Sequence, residues 1–245
     1  MPFDFILRLR STLLALVCLC TPWGVLAQGQ EVLIRKNLQE RIPQFPKIDE
    51  ITKAAMPGLY EIRVDGTDIY YTDAEGNFLI QGQLIDTRSR RNLTEERIDK
   101  LTAIDFQSLP LKDAFTIVRG NGKRKLAVFE DPNCGYCKRF ERDLQKVDNI
   151  TVYLFLYPIL GQDSVEKSRN IWCAKDRAKA WQDAMLREQP AGNASCDTAA
   201  LQRNVEFGRK HKINGTPTLI TAEGHRVPGA ISTAQIEKLL AEAAK

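Results

Sequence analysis

The 245-residue chain has little of several things, and each shortage removes a class of function. It carries only two histidines and six cysteines. Beyond residue 27 the one closely spaced pair of soft ligands is Cys134 and Cys137, and no second Cys or His pair is there to complete a tetrahedral zinc site. No metal and no organic cofactor is therefore expected. Long apolar runs are also missing. Residues 13–20 are apolar but fall well short of the roughly 20 residues that a membrane-spanning helix needs, and no later segment does better, so no stable membrane insertion is expected. Charge of one sign is not in excess either: Lys and Arg number 35 against 31 Asp and Glu, a net charge of +4. The basic clusters Arg88-Ser89-Arg90-Arg91 and Lys123-Arg124-Lys125 are short and lie beside turns, which suits solvated surface and not a nucleic-acid face.

What is present at the N-terminus reads as an address. Arg8 and Arg10 precede the apolar stretch, Thr21-Pro22 breaks it, and Val25-Leu26-Ala27 offers small residues where a signal peptidase cuts. Residues 1–27 are therefore expected to be a signal peptide, with an exported, periplasmic protein starting near Gln28. Removing them leaves Cys134, Cys137, Cys173 and Cys196, an even number in an oxidising compartment. Four cysteines allow three pairings. The tight spacing of the first two favours Cys134 with Cys137 and Cys173 with Cys196. The second pair would be a structural staple worth about 3 kcal/mol.

Cys134-Gly135-Tyr136-Cys137 carries the chemistry. It follows the apolar run 126–129 and opens a helix-like stretch over 138–147. A thiol at a helix start faces unpaired backbone N–H groups and the positive end of the helix dipole, so its thiolate is stabilised. With a second thiol one turn behind, this is the equipment for thiol–disulfide exchange. Cys134 is the expected nucleophile, Cys137 the resolving thiol, and Gly135 and Tyr136 the residues that tune them.

The organisation predicted is α+β, in three parts after residue 27. Residues 28–91 form a small mixed-sheet domain. A broken helical pattern with Ile34, Leu38 and Ile42 at four-residue spacing comes first, then strands at 59–64, 68–72, 78–81 and 83–86. So small a sheet has exposed edges and little core, which points to dimerisation. Residues 92–110 form a linker. Asn92-Leu93-Thr94-Glu95 has capping-box spacing for a mostly polar helix through about Asp105, and Ser108-Leu109-Pro110 follows as a hinge.

Residues 111–245 form the second domain, with strands at 117–118, 126–129, 150–156, 218–220 and 226–227. Between the third and fourth lies a helical insertion. Asp163-Ser164-Val165-Glu166 is expected to cap a helix carrying Ile171, Trp172, Trp181 and Met185, and Asp197 a second one. Ser232 and Gln235 cap a final helix with Ile236, Leu239 and Leu240 facing inward.

Gly215-Thr216-Pro217-Thr218 stands immediately before a strand, where a proline has no ladder N–H to lose. It matches the element that packs opposite the CxxC motif in thioredoxin-like domains. Together with the Phe129-Glu130-Asp131-Pro132-Asn133 lead into CGYC, the later cysteine pair and the N-terminal β-region, it resembles the DsbC/DsbG family of periplasmic disulfide isomerases, over essentially the whole chain beyond residue 27. The resemblance implies a thioredoxin-like second domain and a cis Thr216–Pro217 bond, with Thr216 and Pro217 binding substrate beside the thiols. It also implies a V-shaped homodimer acting on mis-oxidised exported proteins and a dithiol kept reduced by a membrane reductase of the DsbD type.

Two positions depart from related patterns. Val128 stands six before the first cysteine, where thioredoxin and DsbA-like proteins place a buried acid. Glu130 replaces an expected small hydroxyl residue. At a strand end it is expected to be a solvated carboxylate; turned toward the thiols it would oppose the thiolate or pass a proton to Cys137. Other functions compatible with the same residues are a dithiol oxidase of the DsbA class, a DsbG-like chaperone or sulfenic-acid reductase, and a structural cysteine pair in an adhesion domain.

Overall fold

The computed structural model describes residues 23–243, so the expected signal peptide lies for the most part outside the described residues. The chain divides into two compact units between Gly82 and Gln83.

In the first unit, helix α1 (Trp23–Arg41) precedes strands β1 (Ile48–Lys53), β2 (Tyr60–Val64), β3 (Asp68–Thr72) and β4 (Leu79–Ile80), which form a sheet in that order. Every pairing is antiparallel, where a mixed sheet was expected, because each connection is a turn too short for a crossover. The Asp65-Gly66 turn has both residues at positive φ, as a tight hairpin demands. Ile34 and Leu38 on α1 bury against Ile48, Ile51, Tyr60, Ile62 and Val64. Ile42, expected on the same stripe, is exposed because the helix stops at Arg41 before Pro43. Residues 48–53, to which no strand was assigned on sequence, form β1. A register shift between Ile48 and Glu50 puts the buried Ile48 and Ile51 three apart, which hides the strand's alternation.

The second unit begins with a hairpin, β5 (Ile85–Asp86) and β6 (Arg91–Asn92), that runs directly into α2 (Leu93–Thr102). Residues 83–91 were grouped with the first domain on sequence. In the structure they pack with the second unit, where Leu84 accepts from Leu93 N–H at 2.8 Å and donates to the Thr94 hydroxyl at 2.8 Å. Asn92 caps α2 as the motif predicts, accepting from Glu95 N–H at 3.2 Å. The helix ends earlier than Asp105, where Ala103 leaves helical geometry. Ile104 then donates to Gly224 O at 3.0 Å, and Ile104, Phe106 and Leu109 bury in one core. The segment expected to be a hinge is therefore anchored.

The central sheet has the order β11-β10-β8-β9-β7, with β7 (Phe115–Arg119), β8 (Arg124–Glu130), β9 (Ile150–Leu156), β10 (Thr218–Thr221) and β11 (Arg226–Pro228). Only β8 and β9 run parallel, joined through α3 (Gly135–Leu144). This is the thioredoxin-like topology that the resemblance implies. Strand β8 is a continuous apolar run because both its faces are covered. Leu126 and Val128 face a core with Phe140, Leu144, Leu154, Trp181, Leu219 and Ile236, while Ala127 and Phe129 face Phe155, Tyr157, Ile213 and Ile220 on the other side. Phe129 and Phe155 stack with ring centroids 4.5 Å apart.

The insertion between β9 and β10 holds α4 (Gln162–Trp172), α5 (Arg177–Arg187) and α6 (Ala199–Lys210). One helix was expected where α4 and α5 stand. The chain breaks after Trp172, whose carbonyl accepts from Arg177 Nε at 2.6 Å, and Asp176 restarts it by capping Lys179 N–H at 2.9 Å. Gly161 precedes α4 without a side-chain cap, and Ser164, expected in that cap, is drawn inward. Helix α7 (Thr233–Glu242) opens with the Ser232–Gln235 capping box and buries Ile236 and Leu240.

Gly208 on α6 illustrates how tightly the second core closes. A Cβ there would lie 2.4 Å from the Tyr157 ring, whose hydroxyl donates to Ile213 O at 2.9 Å. Gly208→Ala is expected to destabilise the second unit by about 1–3 kcal/mol despite alanine's better helix propensity, a loss that denaturant unfolding would measure.

Candidate active site

Parallel pairing of β8 with β9 brings the chain out of the sheet at Glu130, and the loop over residues 131–133 must deliver it to α3. Asp131, fully buried, holds that loop. Its carboxylate accepts from Asn133 N–H at 2.8 Å, Ile159 N–H at 2.8 Å, Leu160 N–H at 3.0 Å and the Ser164 hydroxyl at 2.7 Å. This is what draws Ser164 away from capping α4. Asn133 is clamped in turn, donating to Asp163 at 2.7 Å and accepting from Lys167 Nζ at 2.7 Å. The start of α3 is thus fixed against the loop between β9 and α4.

Cys134 occupies the N-cap of α3, and its sulfur accepts from Cys137 N–H at 3.3 Å. The two thiols are not bonded to each other. Cys134 Sγ lies 3.2 Å from the carbonyl oxygen of Thr216, to which the protonated thiol donates. The Thr216–Pro217 bond is cis, and Pro217 is buried. Residues far apart in the chain, the CGYC turn and Thr216-Pro217, therefore meet at one sulfur. Gly135 and Tyr136 are exposed, Tyr136 at 68 %. The Tyr136 N–H is among the donors facing Cys134.

The electrostatics separate the two thiols. Hydrogen bonding from the Cys137 thiol outweighs the opposing effect of burial on Cys134. With help from Thr216 and the backbone N–H groups of Cys137 and Tyr136, it brings the Cys134 pKa down to about 5. Cys137 goes the other way: burial first, then the neighbouring Cys134, push its thiol far above the ordinary range. One sulfur is an ionised nucleophile at neutral pH, and the other is a thiol with its proton held fast. Cys173 and Cys196 are joined, Cα atoms 5.5 Å apart, pinning the end of α4 to the segment before α6.

Glu130 overturns its sequence reading. It is fully buried, not solvated, because alternation along β8 puts residues 126, 128 and 130 on the face that α3 covers. The signal was available: two steps of strand parity from Leu126 point Glu130 at the helix that carries both thiols. Glu141, one turn beyond Cys137 on α3, is buried beside it and was not anticipated at all.

An N-capping thiolate opposite a buried proline, at the C-terminal end of the central parallel strand, defines a thioredoxin-like thiol–disulfide oxidoreductase. Residues 111–244 match the family described as a thioredoxin-like domain, and residues 25–95 match the disulfide bond isomerase protein N-terminal domain. The chain is 48% identical to a probable thiol:disulfide interchange protein DsbC of Bordetella pertussis, over 83% of this chain and 73% of the relative. It is 29% identical to thiol:disulfide interchange protein DsbC of Escherichia coli K12, over 88% of this chain and 89% of that protein. A disulfide interchange protein from Neisseria gonorrhoeae, known from its crystal structure, superposes with a TM-score of 0.53 and 38% identity, covering 56% of this chain and 99% of that one. The chain belongs to the DsbC family of thiol:disulfide interchange proteins.

A thiolate with a pKa of about 5 makes the reduced protein's stability depend on pH with a defined sign. Folding depresses the Cys134 pKa from an ordinary value of about 8.5, so the contribution is full above that value and is lost as pH falls through the folded one. Reduced wild-type protein is expected to gain stability relative to Cys134→Ser as pH rises across this window. Thermal unfolding at a series of pH values checks the sign, and alkylation of Cys134 should persist down to the low end.

Proposed function

We propose that this enzyme rearranges incorrect disulfides in exported proteins, with Cys134 as nucleophile and Cys137 as resolving thiol. The carrying observation is the pair of opposite shifts on two adjacent thiols. The Cys134 thiolate attacks one sulfur of a substrate disulfide, forming an enzyme–substrate mixed disulfide and expelling the other sulfur as a thiolate that takes a proton from solvent. A different substrate thiolate then attacks the substrate sulfur bound to Cys134, forming the new disulfide and returning Cys134 as thiolate. When no substrate thiol arrives, Cys137 attacks Cys134, releasing reduced substrate and leaving the enzyme oxidised. A high Cys137 pKa favours this ordering, since it keeps escape slower than rearrangement. Thr216 and Pro217 line the place where an extended substrate strand lies, and Gly135 and Tyr136 leave it open.

Several features support the setting proposed for this activity. Tyr136, Leu160 and Val165 are exposed apolar side chains on the segments around Cys134, suited to chaperone-like holding of unfolded chains. Among the described residues of the first unit β4 pairs only with β3, and Phe78 just before it and Ile80 within it are exposed at 70 % and 49 %. An unpaired apolar edge of this kind is covered by a second copy of the chain, giving a homodimer. No described helix is long and apolar enough to cross a membrane. The N-terminal residues have the pattern of a cleaved export signal, which puts the protein in the periplasm, where a membrane reductase of the DsbD type would return the dithiol to its reduced state.

Recovery of active ribonuclease from its scrambled, multiply bridged form tests the reaction. Wild-type protein should restore activity, Cys134→Ser should not, and Cys137→Ala should accumulate mixed disulfides visible on non-reducing gels. Recovery by Cys134→Ser equal to wild type would exclude the mechanism. The dimer is tested separately: Phe78→Asp with Ile80→Lys should shift the protein from dimer to monomer in sedimentation equilibrium, and an unchanged dimer would place the interface elsewhere.

A further inference from the structure

The resolving step leaves a chemical problem. Cys137 is fully buried and holds its proton tightly, yet it must attack as a thiolate. Water does not reach it, so the proton needs an internal acceptor. Strand β8 and helix α3 supply two candidates. Parity along β8 aims Glu130 at α3, and Cys137 and Glu141, four apart on α3, share the helix face that meets it. All three side chains are completely buried. The groups that Glu130 faces are Glu141, Cys137 and Cys134.

The hydrogen-bond inventory shows how charge is divided between the carboxyls. Neither oxygen of Glu130 has a partner among N–H or hydroxyl donors. Glu141 is better provided: its Oε1 accepts from Trp181 Nε1 at 2.9 Å, and the Arg119 guanidinium of β7 acts on it electrostatically. Arg119 donates through Nη1 to Leu144 O at 2.8 Å, its buried Nη2 has no acceptor, and Asp148 is the other acid acting on it. One guanidinium can compensate one buried negative charge. Two adjacent ionised carboxylates would leave a second one uncompensated, at a desolvation cost of several kcal/mol. Glu130 therefore keeps its proton, as one of two adjacent carboxyls does when like charges cannot both persist. Burial and the Glu141 charge raise the Glu130 pKa in agreement with this.

We propose that Glu130 and Glu141 form a two-carboxyl proton relay that serves Cys137, taking its proton when it attacks the mixed disulfide and returning it when the enzyme is reduced again. The proposal rests on the thiol-exchange reading above. In the forward step the Cys137 proton moves to Glu130 as the Glu130 proton moves to Glu141. The Cys137 sulfur then forms its bond to Cys134, the bond from Cys134 to the substrate sulfur breaks, and the substrate leaves as a thiolate that is protonated by solvent. The relay gains one proton and the disulfide forms with no change in total electrons. When an external dithiol reduces the enzyme, Cys137 departs as thiolate and recovers the proton by the same path. Glu130, which faces the reacting sulfur, is the proton acceptor; Glu141 positions it and carries the compensated charge.

The test separates the two half-reactions in single-turnover experiments with a disulfide peptide bearing a fluorescent leaving group. Formation of the mixed disulfide by Cys134 should change less than about threefold in Glu130→Gln and Glu141→Gln. Its resolution by Cys137 should slow by about 100-fold, the scale of a lost general base. Resolution in Glu130→Gln should also become proportional to hydroxide concentration, because Cys137 then ionises only to solvent, whereas a purely structural role would not alter the pH profile. Resolution within twofold of wild type, with an unchanged profile, would overturn the relay. Absence of any mixed disulfide in wild type would instead overturn the thiol-exchange reading. Infrared difference spectra between dithiol and disulfide forms of wild-type protein give a check independent of the variants. A buried carboxylic-acid C=O band that grows on oxidation is expected, and its absence would overturn the proposal whether or not the variants fold.

Discussion

The architecture of the second unit converges on a negative sulfur held at the first turn of α3. A thiolate is stable there only if backbone N–H groups point at it and competing negative charge stays away. The first condition is met by the N-cap geometry of Cys134, whose sulfur takes the Cys137 N–H that the helix leaves unpaired. The second is served by burying Glu130 beside Glu141, where desolvation and the neighbouring acid favour its protonated, uncharged form. Moving α3 by a fraction of a turn would lose both conditions. The tight anchoring of its leading loop by Asp131, through four hydrogen bonds, is the structural consequence.

Strand β8 transmits this constraint to the core. Covered on both faces, it can change register only by inverting every side chain, and an inverted β8 would turn Glu130 away from α3 toward the Phe155 side. The same parity that makes the strand apolar and central thus aims a carboxyl at the resolving thiol. Function and packing use one periodicity here. The Cys173–Cys196 bridge lies apart from this chemistry, within the helical insertion, and joins segments that no strand connects.

Much of the site was legible before folding was considered. CGYC after an apolar run marked a thiol at a helix start, and the resemblance put Gly215-Thr216-Pro217-Thr218 opposite it, where the structure has it. The Asn92 cap and the Ser232 capping box stood where they were read. The misreadings share a cause. Strand β1 was hidden by its register shift. The break between α4 and α5 depends on Arg177 reaching back to the Trp172 carbonyl. Each is decided by a partner brought in from outside the local window, not by the window's own pattern. Glu130 differs, since parity pointed it inward and only the habit of placing strand-end carboxylates in water argued otherwise.

Composition, spacing and periodicity by themselves determined the thiol pair at a helix start, the exchange chemistry it suits and the strand that leads into it. These follow from contacts along one helix turn or one strand, which neighbours in sequence suffice to specify. Only tertiary structure decided that Thr216 would meet Cys134 across 82 residues of chain, and that Trp181 and Arg119 would meet the buried Glu141. Those arrangements exist only once the sheet has closed and water has left, because solvation in the open chain would leave each of these charges free of the others.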